Sequence, residues 1–487
     1  MTLHTLRRGA WNSPGTILSA LISAVTLMGC NGAVSNGSGN PQVAVDLDGS
    51  VSGLVGSRLE LQNDQHYLWG ENGPGQNSKW QFGVVGFYTS YDVTVATQPT
   101  NPSQTCVVAN GTGTTGGKGS PNTNITVTCT TNPPRFVYVA NRGSNNVSAY
   151  TVDAGNGTLA PIVGSPFAAG NLPVALAVDP TGTYAYVVNQ TDATISAFTI
   201  DRTSGALKAV GGSPFPTGPA PSSVAIDPSS SFVYVTNGDA GSVSAYSINA
   251  GGALTAVFGS PFATGPTPSS VTVDPSGYYV FVTNQADGTL SEFADNIGTG
   301  ALAGALTAIS GSPFPAGSGP RAVIVDPSDS YVYVANATSN TLSGYKGNVN
   351  GYIANGTITA MSGSPYTTGS SPNSVAVDPT QVANTDNQGN TSVLDSFLYV
   401  ANEGSNDISA YSIGAGGTLT ALTGAPFTAG DEPSALAVDP TGRFLYVANS
   451  SGTVSVFAIT ATSGALSAVS GSPYNAGTLP SAIAISD

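Results

Sequence analysis

One phrase of roughly fifty residues is written seven times along the last two-thirds of this chain, and few folds accommodate such repetition. Each copy holds an aromatic strand ending in Asn, a second short strand with an aromatic, a Gly-x-Pro-Phe/Tyr signal and a Pro-x-x-Val-Ala-Val-Asp-Pro-like strand. The Asn falls at Asn141, Asn189, Asn237, Asn284, Asn336, Asn402 and Asn449, and the aromatic of the later signal at Phe167, Phe215, Phe262, Phe314, Tyr366, Phe427 and Tyr474. Several short strands per unit at this period predict an all-β propeller with four-stranded blades. Gly (61), Pro (33) and a charged fraction of only 8% fit short sheets and tight turns rather than amphipathic helices.

The copies also predict how the ring closes. Val-Asp-Pro-like phrases occur at Asp179, Asp227, Asp274, Asp326, Asp378 and Asp439, one fewer than the Asn-ended strand. The missing strand stands at the far end, where residues 481–486 match residues 434–439. The last strand therefore joins the first blade and seals a seven-bladed ring over residues 135–487, leaving no open edge.

Upstream, Arg7 and Arg8 precede an apolar run from Ile17 to Met28, which reads as an export signal over residues 1–29. The run ends in Leu27-Met28-Gly29-Cys30, which resembles the bacterial lipobox and implies lipidation at Cys30. Residues 30–41 then form a flexible tether, and the protein is expected to sit in the cell envelope on a membrane anchor. With Cys30 so assigned, Cys106 and Cys129 remain as an even pair, expected to form a disulfide; a metal site is the weaker alternative. Residues 42–132 read as a small β-sandwich-like domain, with Asp46-Leu47-Asp48-Gly49 as a hairpin turn rather than a calcium loop.

The repeated residues have structural explanations. Asp-Pro-Thr-Gly suits a type I turn, the Asn bonds locally where a strand ends, and aromatics from Tyr138 to Tyr446 pack between blades. Function is therefore sought where the copies differ.

Tyr234-Val235-Thr236-Asn237 is the tetrapeptide of the YVTN repeat, with close variants at 281–284 and 333–336, and the pattern resembles the lactonase-type seven-bladed propellers. That resemblance implies 6-phosphogluconolactonase-like ring-opening chemistry, although the same repeats occur in exported surface proteins. The only two His, His4 and His66, lie outside the repeats, so no propeller residue can take a family His role. No Gly-x-Ser-x-Gly elbow, His-Glu-x-x-His motif or cofactor signature is present.

Symmetry-breaking charges on the loops after the Asn-ended strand, and on those entering the Val-Asp-Pro strand, are Arg142, Asp192, Asp239, Asp287, Arg321, Glu403, Asp407, Asp431 and Glu432. Arg321 starts an inner strand where the other copies have Val174, Ser222, Ser269, Asn373, Ser434 and Ser481. It either holds a carboxylate or lactone carbonyl, with Glu403 orienting water, or is a plain ion pair; Arg142 is weighed the same way. Between Asp378 and Asn402 the chain is longer than in the other copies, and the insertion at 380–395 is either a partner loop or a tolerated excursion.

The net charge of −15 makes nucleic acid a poor partner and a phosphorylated lactone a poor ligand for the acidic rim. From sequence, the leading expectation is an envelope binding scaffold for a glycan, a small neutral ligand or another envelope protein. A lactonase-like hydrolase and a purely structural envelope protein are its alternatives.

Overall fold

The computed structural model describes residues 44–487 apart from 57, 64–65, 72–78, 101, 118–121, 297–299, 301, 348–356, 381, 386–390 and 395. The signal, the tether and Cys30 lie outside the described residues.

The repeats form seven radial sheets, each running outward from an inner strand through two longer strands to a short outer one. The inner strands are Pro480–Ser486, Pro173–Val178, Pro221–Ile226, Pro268–Val273, Pro320–Val325, Pro372–Val377 and Pro433–Val438, and each packs against its two neighbours to make a closed ring. Numbered from the blade that holds Phe136–Asn141, they belong to blades one to seven. The chain's last strand, Pro480–Ser486, pairs antiparallel with Phe136–Asn141, so blade one is built from both ends of the repeat region as expected.

Second strands such as Phe136–Asn141 and Phe232–Asn237 are buried at every position, because both faces of a blade pack against other blades. On their faces, Tyr138, Tyr186, Tyr333 and Tyr399 donate hydroxyl hydrogen bonds to the carbonyls of Gly205, Gly252, Gly417 and Gly464 in the following blade, at 2.8–3.0 Å. The outer strand is divided: in blade one, Leu159–Pro161 and Phe167–Ala168 both pair with Asn146–Val152. The Gly-Ser-Pro signal is the break between the two pieces. In six blades its Ser accepts the third-strand N–H left without a ladder partner, as Ser165 does from Ala149 at 2.9 Å.

The repeated Asn and Asp behave as scaffold. All seven Asn are fully buried, and Asn189 joins Thr194, Ser196 and the N–H of Gly170. Asp179 accepts the N–H groups of Thr183 and Tyr184 while its turn closes through Gly182.

Before the propeller, two four-stranded sheets face one another around Leu47, Leu59, Leu61, Trp80, Ile125 and Val127. Cys106 and Cys129 sit opposite each other on paired strands and are joined by a disulfide. Asp46–Gly49 is not a hairpin turn: it lies inside the strand Ala44–Ser52, where the register slips between Asp46 and Asp48. The extra residue lies on each partner strand, where residues 82–83 and residues 123–124 stand opposite single residues of this one; the Asp-x-Asp-Gly phrase has a turn's composition, but pairing on both sides keeps it extended. In the insertion, Val382–Thr385 pairs with Thr391–Leu394 as a separate hairpin.

Candidate functional site

Each inner strand begins with a Pro paired with the repeated Asn, as Pro173 is with Asn189. The loops after the Asn and those before the Pro therefore open on one face, where they surround one mouth of the central channel.

At that mouth the second residue of the inner strand sets a repeating bond. Ser222, Ser269, Ser434 and Ser481 each donate from Oγ to the carbonyl of the Pro that starts the next inner strand, Pro268, Pro320, Pro480 and Pro173, all at 2.7 Å. This chain of hydroxyls stitches neighbouring blades around the rim. It is interrupted at Val174 and, in two consecutive blades, at Arg321 and Asn373.

The double interruption is where charge enters. Arg321 Nη1 lies 3.6 Å from Glu403 Oε2, with the side chains 46% and 31% exposed, the single ion pair among the described residues. Asn373 Nδ2 donates to the same Oε2 at 3.2 Å. Glu403 itself follows the second strand Ser396–Asn402 of blade six, and its backbone N–H is bonded to Ser371. The carboxylate is thus gripped through one oxygen by a guanidinium from blade five and an amide from its own blade. The Arg321 donors and Glu403 Oε1 remain available at the mouth.

The other sequence candidates do not converge on this pair. Arg142 stands on blade one and makes no ion pair among the described residues. Asp192 is exposed and caps the neighbouring loop that enters Pro173–Val178, accepting Asn171 N and Nδ2 at 2.6 and 2.8 Å, and these bonds hold its carboxyl below the usual range. Asp407 accepts Asn402 Nδ2 at 2.6 Å, and Asp287 accepts Thr289 Oγ1 at 2.8 Å. Asp239, Asp431 and Glu432 are exposed rim residues. Together they make the rim acidic without assembling a second centre. Among the described residues, no group of three or more His, Cys, Asp or Glu is placed to hold a metal ion.

Asn373 was absent from the sequence candidates, although its signal was visible: an amide where four copies have Ser. A second unforeseen group lies inside the wall. Glu292 is fully buried where the other blades carry Ala149, Ala197, Ala245, Gly344, Ala410 and Val456, and neither carboxyl oxygen has a partner. Desolvation, then the charge of Asp274, push it up to about 9. Three positions on, Asp295 replaces an apolar residue; burial raises it to about 7 although Tyr234 donates a hydrogen bond to it.

The opposite end of the channel is different in kind. A cavity of about 410 Å³ there is walled by Val178, Ile226, Val273, Val325, Val438, Ile485 and several turn prolines, and Pro102 and Ser103 of the small domain also line it. The small domain therefore sits against this end, and the Arg321 mouth is the face that it leaves uncovered.

A family model described as "Lactonase, 7-bladed beta-propeller" matches residues 112–219, 212–312 and 301–478, well over half of the chain. Among solved structures, a candidate 6-phosphogluconolactonase from Bacteroides fragilis NCTC 9343 is 20% identical, with a TM-score of 0.61 over 74% of this chain and 99% of that one. A periplasmic gluconolactonase from Pseudomonas aeruginosa is 20% identical, with a TM-score of 0.57 over 72% of this chain and 99% of that one. At such identities the likeness to these structures is one of fold. No curated protein matches the sequence.

Proposed function

Because this chain belongs to the lactonase family of seven-bladed β-propellers, we propose that it is a hydrolase that opens a neutral, hydroxylated lactone at the Arg321–Glu403 mouth. The family match favours hydrolysis over the binding scaffold that charge and symmetry first suggested. The observation that carries the reading is the pair itself: a cation and a carboxylate 3.6 Å apart, at the one stretch of the rim where two consecutive blades abandon the seryl stitching.

The chemistry needs little else. Glu403 Oε1 takes a proton from a water whose oxygen bonds to the lactone carbonyl carbon, and the oxyanion that forms is met by Arg321 N–H donors. Collapse of the tetrahedral species breaks the endocyclic C–O bond, and Glu403 returns the proton to the departing alkoxide, giving the hydroxy acid. Asp192, Asp239, Asp287, Asp407, Asp431 and Glu432 around the mouth repel a phosphorylated substrate, so an uncharged lactone is the better fit. The signal-like N-terminus and Cys30 support an exported, lipid-anchored location, in which the tether leads first to the small domain and then to the propeller.

The test is hydrolysis of glucono-1,5-lactone, with and without a 6-phosphate, by the purified protein and by Arg321→Ala. Turnover above the spontaneous rate, preference for the uncharged lactone and a loss of about 100-fold or more in the variant are expected. Equal rates for protein and buffer on both lactones would return the binding scaffold to first place.

A further inference from the structure

Asn373 stands at a rim position whose ordinary occupant is Ser. At Ser222, Ser269, Ser434 and Ser481 the hydroxyl satisfies itself and a neighbouring carbonyl in one bond, tying two blades together. Asn373 makes no such bridge to Pro433, the first residue of the next inner strand. Its amide turns to Glu403 instead, and its Oδ1 is left buried without a partner. A buried acceptor with nothing to accept keeps the full desolvation penalty of its oxygen. The position therefore carries two debits, a missing stitch and an orphaned oxygen, in exchange for one bond to a carboxylate.

Local rules broken without structural gain mark functional positions. We infer that Asn373 is a positioning residue: it acts through Glu403, holding Oε2 so that Oε1 faces the substrate, and the protein gives up rim stability to keep it. This inference rests on the lactonase reading of the same mouth. Arg321 alone does not fix the carboxylate, because a single exposed contact at 3.6 Å leaves the Glu403 side chain free to turn. The second bond, from the blade that carries Glu403, supplies the missing constraint.

The inference predicts opposite signs for stability and activity in one variant. Asn373→Ser restores the rim's own residue, so Tm should rise by roughly 2 °C. At the same time kcat on gluconolactone should fall roughly 10- to 100-fold with KM little changed, since the carboxylate loses its aim while Arg321 still meets the substrate. A mirror variant on the far side of the ring, Ser222→Asn in blade three, should lower Tm and leave kcat alone. The inference is overturned if Asn373→Ser keeps full kcat, or if it loses Tm along with activity, which would make Asn373 an ordinary structural residue. Failure of the lactonase reading is distinct, because then the unmodified protein shows no turnover at all; the positioning role falls with it.

Discussion

The Oγ of Ser481 donates to the carbonyl of Pro173 at 2.7 Å, joining the last strand of the chain to the first inner strand after the ring begins, 308 residues earlier. The bond lies beside the antiparallel pairing of Pro480–Ser486 with Phe136–Asn141, so the terminus closes the ring by a sheet and by a stitch. Removing residues 480–487 would expose the edge of a fully buried strand. The truncated chain should lose its cooperative thermal transition and aggregate, as measured by circular dichroism and size-exclusion chromatography.

Glu403→Gln should separate chemistry from stability. An exposed ion pair contributes about 0–1 kcal/mol, so Tm should change little. An amide cannot take the water's proton, and kcat on gluconolactone should fall about 100-fold or more. A rate within twofold of the unmodified protein would remove Glu403 from the mechanism.

Glu292 makes stability depend on pH in a definite direction. Its folded value of about 9 lies above the unfolded value of 4.5, so across this window the unfolded chain releases a proton that the folded chain retains. Folding is then opposed more strongly as pH rises from 4.5 to 9, by an amount on the order of a few kcal/mol, and the opposition is absent below 4.5. Asp295 adds the same sign between 3.8 and about 7. Glu292→Ala, the residue at Ala149, Ala197, Ala245 and Ala410, should raise the denaturation midpoint near pH 8 and have much less effect near pH 4. Equal effects at both would show that the carboxyl is paired.

Two tyrosines at equivalent positions should respond differently to loss of the hydroxyl. Tyr399 donates to the Gly464 carbonyl at 2.8 Å, whereas the buried Tyr446 hydroxyl has no partner. Tyr399→Phe should cost about 1–2 kcal/mol and Tyr446→Phe nothing, or a small gain, in chemical denaturation. Phe281, which fills this place in blade four, shows that the ring itself tolerates the change.

Cys129→Ser should act on the small domain. The disulfide closes a loop of 23 residues in sequence separation, for which chain entropy gives about 3 kcal/mol. Proteolysis should begin within residues 44–131 of the variant while the repeat region survives. Uniform digestion of both would mean that they unfold together.

Much of the propeller could be read from the sequence because repetition is itself a statement about packing: each unit buries its faces only against copies of itself. The blade order, the closing strand, the Asp-Pro turns and the shared face of the Asn loops all followed from aligning the copies. A single short segment carries less information: Asp46–Gly49 has the composition of a turn, yet pairing with a strand on each side holds it extended. Arg321 and Glu403 were visible as departures from symmetry, but so were seven other charges, and sequence assigns no distances among loops of different blades.

What the sequence determined by itself is the ring, since a pattern repeated seven times admits few closed solutions. Tertiary structure alone decided which symmetry-breaking residues meet: Arg321 reaches Glu403 across a blade boundary while Arg142 stands apart. It also decided that the small domain covers the other end of the channel, and that Asn373 leaves an oxygen unpaired to hold a carboxylate. Such contacts depend on the radial placement of blades, which local sequence does not encode, and on burial, which turns an ordinary amide into a costly one.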